Sequence, residues 1–133
     1  MNISNVELSK ELYKLSKWMD THFIHVKWTE ESGWVVTDLH HRTVSDWCPA
    51  YDLGYLLRKL RINKAKNTNP ARWGNWKSID IGVSIGYDAD GKFWWATIKS
   101  KGELETLYFE SADTPEDAVC KLAIKLFQEG VLS

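Results

Sequence analysis

From Ser78 to Tyr87 the chain alternates, with Ile79, Ile81, Val83, Ile85 and Tyr87 set against Asp80, Gly82, Ser84 and Gly86. A period of two puts all the large apolar groups on one side of an extended strand and only small or polar ones on the other. Such a strand needs neighbours for its backbone and a second layer over its apolar side. The following residues supply the neighbours. Asp88-Ala89-Asp90-Gly91 reads as a turn, Lys92 to Lys99 runs back, Ser100-Lys101-Gly102 turns again, and Glu103 to Glu110 returns. The spacing predicts a three-strand antiparallel meander.

Helices supply the second layer. Ser4 and Glu7 are spaced as a capping box, and Leu8, Leu12, Leu15 and Met19 follow at helical intervals, predicting a helix from about 5 to 19. Tyr51 to Ile62 puts Leu53, Leu56, Leu57 and Leu60 on one side and Arg58, Lys59 and Arg61 on the other. Thr114-Pro115-Glu116-Asp117 opens a last helix, with Thr as cap, Pro in the first turn and two carboxylates facing the positive end of the helix dipole. Its apolar stripe is Ala118, Val119, Leu122, Ala123, Leu126 and Phe127; Gly130 ends it, and Val131-Leu132 folds back. THFIHVKW and WVVTDL, joined by a turn at Glu30 to Gly33, read as a hairpin, while His40 to Pro49 reads as irregular and Asn63 to Lys77 as a long loop. The order α-β-β-α-β-β-β-α predicts an α+β two-layer sandwich, a mostly antiparallel sheet of about five strands with helices on one face. At 133 residues the chain is expected to be one domain, 1–133.

ELSKELYKLSKW, HFIHVKW followed by GWVV, CPAYDLGYLLRKL and ESADTPEDAVCKLAIKLFQEGVL resemble segments of a group of small bacteriophage and prophage proteins. PAYDLGYLL and the run from TPEDA to EGVL are the most specific pieces. The resemblance implies the same fold and a phage or mobile-element context. It carries no activity and no site residue, since the matching positions are caps, leucine stripes and a terminal glycine.

Charge singles out one region. Leu53 to Ile79 carries seven Lys/Arg and no Asp or Glu, whereas the whole chain has a formal net charge of −1. The remainder is therefore acidic, and a near-neutral total hides a local cationic patch with Trp73 and Trp76 inside it. The candidate ligand-binding residues are Arg58, Arg61, Arg72, Trp73, Trp76 and Lys77: guanidinium and ammonium groups for an anion, indole faces for stacking. A nucleotide-sized anion or a host protein suits this set; nucleic acid is an alternative, against which an overall pI near 6.4 weighs. A solvated loop whose tryptophans dock on the sheet is the plain structural reading.

Catalytic and metal patterns are absent. His22 and His25 stand three apart in a strand and face opposite ways, and no CxxC, HxxxH or glycine-rich phosphate loop occurs. Cys48, with His40 or His41 as base, is the one enzyme arrangement to weigh, against a Cys48 that simply packs. Cys48 and Cys120 are expected to be buried, reduced thiols, and the absence of a signal-like or membrane-length apolar run leads to an expected cytoplasmic location with no membrane partner. Trp94 and Trp95 must face opposite sides of their strand, so one enters the core. The other lies beside Gly82, Ser84 and Gly86, where it forms a shallow groove or meets another subunit of a homo-oligomer. The sequence reading is thus a non-enzymatic accessory protein that acts by binding, without a cofactor.

Overall fold

A computed structural model of the chain describes residues 2–27, 33–38, 46–62, 64–66, 68, 71, 78–80, 82–99 and 106–132. Among them are helices α1 (Val6–Ser16), α2 (Leu53–Ile62) and α3 (Pro115–Gln128). The strands are β1 (Phe23–Lys27), β2 (Trp34–Asp38), β3 (Trp47–Ala50), β4 (Lys64–Lys66), β5 (Ser78–Asp80), β6 (Val83–Asp88), β7 (Phe93–Lys99) and β8 (Thr106–Ala112). The class is α+β, as expected. Among the described residues the strands form not the expected single sheet of about five but two three-stranded antiparallel sheets, β2-β1-β3 and β6-β7-β8, and a two-stranded ribbon, β4-β5.

Two misread segments account for the difference. Trp47–Ala50 shows no alternation and contains Pro49, yet it pairs with β1, His25 opposite Cys48 and Ile24 opposite Pro49. An outer strand tolerates a proline because one side of its backbone needs no ladder donor. The run from Ser78 to Tyr87 is also two strands, not one. Its first part, Ser78–Asp80, pairs with Lys64–Lys66 and its second, Val83–Asp88, with β7. Alternation reports which side is apolar and says nothing about the partner.

Helix α3 organises the interior. Thr114 Oγ1 accepts from Asp117 N at 3.1 Å, and Pro115 occupies the first turn. Ala118, Val119, Leu122, Ala123 and Leu126 are fully buried, packed with Ala96 and Ile98 of the meander and with Leu56 and Leu60 of α2. Each such side chain contributes about 1.5–3 kcal/mol on burial for a Val or Leu. Gly130 takes φ +76°, a left-handed conformation that turns the chain so that Val131 and Leu132 donate to the Leu126 carbonyl. Both end buried, as the sequence suggests.

At the other end, Asn5 rather than Ser4 caps α1: its Oδ1 accepts from Leu8 N at 2.9 Å. Ser4 is committed elsewhere. Its hydroxyl hydrogen-bonds with the Ser9 hydroxyl at 2.6 Å, its N–H donates to the Tyr51 carbonyl at 2.8 Å, and its own carbonyl accepts from His25 Nε2 at 3.1 Å. The Asp117 carboxylate accepts from Asn5 N at 2.7 Å, tying the starts of α1 and α3 together. Helix α1 also rests on β3, so the helices join the two sheets. All five tryptophans among the described residues, Trp18, Trp34, Trp47, Trp94 and Trp95, are half-buried, as suits a large ring that carries one N–H donor.

Candidate functional site

Strand β7 has two different sides. Trp94, Ala96 and Ile98 point toward α3 and belong to the core. Phe93, Trp95, Thr97 and Lys99 point the other way, toward a groove of about 380 Å³ also lined by Asp88 and Phe109. The opposite orientation of Trp94 and Trp95 is the one the sequence requires. Phe109 pairs with Thr97 across the sheet and remains 52% exposed. An aromatic ring left that exposed, beside two half-buried ones, marks a surface on which the described chain packs little.

Gly86, which pairs with Trp95, explains how the ring is seated. A Cβ at Gly86 would lie 2.1 Å from Trp95 Cζ2 and 2.5 Å from Cε2. The indole therefore rests directly on the β6 backbone, a closeness only glycine permits. At the hairpin end, Asp88 Oδ1 accepts from Asp90 N and Gly91 N, both at 3.0 Å, which holds the turn as an Asx motif. Lys99 stands at the opposite end, exposed. On the floor between them, Thr97 is 5% exposed and its Oγ1 has no hydrogen-bond partner. A buried hydroxyl without a partner is uncommon and costs about 1–3 kcal/mol.

Of the six residues selected from the sequence, the structure describes two. Arg58 and Arg61 lie one turn apart on α2, both exposed, with the Arg58 guanidinium 5.4 Å from the Tyr55 ring centre. Arg72, Trp73, Trp76 and Lys77 lie outside the described residues. Helix α2 packs on α3, whereas the groove is on the sheet side turned away from α3. The two arginines and the aromatic groove are therefore separate surfaces. Beside α2, Tyr55 Oη donates to Asp20 Oδ1 at 2.5 Å and Lys59 pairs with the same carboxylate at 3.1 Å. The Tyr55 hydrogen bond, helped by Lys59, holds the Asp20 carboxyl below its usual range.

The remaining titratable groups are structural in their surroundings. Cys48 is buried in β3, not placed at an open helix start, and burial pushes its thiol up to about 12. Cys120 is likewise a free thiol pushed up to about 12 by burial, its Sγ 3.6 Å from the Leu8 carbonyl. Neither forms appreciable thiolate at neutral pH. His40 and His41, the bases considered for Cys48, lie outside the described residues. His22 is exposed and His25 buried, and among the described residues no three His, Cys, Asp or Glu side chains converge on one point. No described helix is long and apolar enough to cross a membrane.

No family model matches the chain, and neither a curated protein nor a solved structure is significantly similar to it. The groove was half legible: the Trp pair and the small residues of β6 announce a bare aromatic side, while Thr97 looks in sequence like any strand threonine.

Proposed function

We propose that the protein acts by binding rather than catalysis, as a phage or mobile-element accessory protein that sequesters a small, anionic, nucleotide-like ligand in the host cytoplasm. The observation that carries this reading is the groove over β7, where an indole fixed on the Gly86 backbone stands beside two further aromatic rings and a lysine. Rings held in place lose little freedom on stacking, so a planar ligand meets a prepared surface. The inert state of both described thiols argues for binding over covalent chemistry.

The paired exposure of Arg58 and Arg61 favours a second reading, in which an anionic host protein or a nucleic acid rests on α2. One experiment separates the two. In a thermal-shift series, AMP, ATP, inorganic polyphosphate and an oligothymidylate are added to the purified chain. A rise in melting temperature with the mononucleotides supports the first reading, because a ligand of the native state stabilises it by mass action. A rise with the polymers alone, collapsing as salt is raised, favours the second. No rise with any of them removes the mononucleotide and nucleic-acid readings.

A further inference from the structure

The groove is specific enough to suggest what its ligand looks like. It runs the length of β7, about 20 Å from Phe93 to Lys99 for six residue steps, and three strands make it about 14 Å wide. The groove itself is far smaller than the roughly 800 Å² per partner of a stable protein–protein interface. A folded partner or a second copy of the chain needs more surface than this. A cavity of about 380 Å³ falls instead within the roughly 300–1,000 Å³ of small-molecule sites.

Its chemistry narrows the choice further. Trp95, two residues along β7, and Phe109, opposite on β8, both border the groove beside Thr97, so its aromatic lining suits a planar occupant. Thr97 Oγ1, buried and unpartnered, requires a hydrogen-bonding group at that plane's edge, which excludes a plain hydrocarbon ring. Lys99 is two residues further along the same side of the strand, about 7 Å away, and calls for an anionic tail. Asp88, at the far end, disfavours an anion there and fixes the direction.

We propose that this groove is a binding site for a heteroaromatic ring bearing an anionic tail, of the nucleoside monophosphate class. The ring lies between Trp95 and Phe109 with a polar edge on Thr97 Oγ1, and the phosphate reaches Lys99. Thr97 Oγ1 is closed off from solvent as the structure stands, so binding requires a neighbouring side chain such as the half-exposed Phe109, paired opposite Thr97, to move aside. This rests on the binding reading above and assigns its residues.

Titration calorimetry with AMP, CMP, GMP and UMP tests it, using the intact chain and the variants Thr97→Val, Trp95→Ala, Lys99→Glu and the double variant Arg58→Glu/Arg61→Glu. Thr97→Val keeps shape and deletes only the hydroxyl. It is expected to weaken the best-bound monophosphate about tenfold, the equivalent of one hydrogen bond, while the melting temperature stays level or rises. Trp95→Ala and Lys99→Glu weaken it by at least as much, and the Lys99→Glu loss disappears when the neutral nucleoside replaces the monophosphate. Arg58→Glu/Arg61→Glu leaves the affinity unchanged. Binding that survives Thr97→Val and Trp95→Ala but is lost in the double arginine variant overturns the groove assignment and leaves the binding reading standing. Equal displacement by inorganic phosphate alone, indifferent to Trp95, also overturns it. Binding of none of the four to the wild type overturns the assignment and the mononucleotide reading together.

Discussion

The two sides of β7 are made by alternate residues of one strand, yet they meet opposite fates. Ala96 and Ile98 are buried against α3, with the half-buried Trp94 packed beside them, and the Ala118, Val119, Leu122 and Leu126 of that helix are fully buried. Phe93, Trp95 and Phe109 on the reverse are as apolar but remain partly open, with Phe109 half exposed. Hydrophobicity alone thus does not decide which side becomes core. The neighbours do. Val83 and Ile85 of β6 supply bulk on the α3 side, while the reverse is held open by Ser84 and Gly86. The same backbone positions that seal one layer leave a shallow aromatic surface on the other.

This contrast can be broken at graded strengths. The largest effect is expected on the enclosed side: Leu122→Ala should cost about 2–5 kcal/mol in denaturant unfolding, since the side chain is fully buried and α3 is wedged between the meander and α2. Against a total of about 5–15 kcal/mol the loss is large. A loss under about 1 kcal/mol would mean that α3 does not anchor the core. Phe127→Ala should cost less than Leu122→Ala, because Phe127 is only partly buried, edge-on to Trp18 at 5.4 Å.

A pH effect of intermediate size is expected at His25. Burial lowers its pKa below the ordinary 6.5, against a hydrogen bond to the Ser4 carbonyl that acts in the opposite sense. The imidazole is neutral in the fold, with Nε2–H donating to Ser4. Stability from this site is intact above pH 6.5, where the unfolded chain is also unprotonated. It falls as the pH drops from there toward the lowered folded value, because the unfolded state takes up the proton first. Urea unfolding at stepped pH should show that decline in the wild type and a shallower one in His25→Gln.

Smaller effects are expected on the open side, and with a different sign. Thr97→Val should stabilise the free protein by about 1 kcal/mol, since it removes a buried hydroxyl that has no partner. Phe109→Ser, at a half-exposed position, should change stability by no more than about 0.5 kcal/mol.

How much of this was legible in the sequence depended on whether a segment's pattern was local. The Thr114 cap, the α3 stripe, the turn at Asp88 and the fold-back after Gly130 are set by residues within one turn of each other, and each is found. Strand β3 and the β4-β5 ribbon are held by distant partners, so short runs such as Trp47–Ala50 leave no periodic signal. The cap at Asn5 was misplaced by one residue because the Ser4 hydroxyl is taken up by the Ser9 hydroxyl, and its backbone is held by Tyr51 and His25, distant in sequence. At the groove, the adjacency of Trp94 and Trp95 made it legible that one of them faces away from the core, but not which. The orphaned Thr97 hydroxyl was not legible, because whether a strand threonine finds a partner depends on what stands over it.

The central claim is that the open side of β7 is a binding surface and the α2 arginines are not its site. Backbone amide shifts recorded by NMR while AMP is titrated into the protein test that most directly. Changes are expected to cluster at Phe93, Trp95, Thr97, Lys99 and Phe109, with Arg58 and Arg61 still. Changes centred on Arg58 and Arg61, with β7 silent, would contradict it.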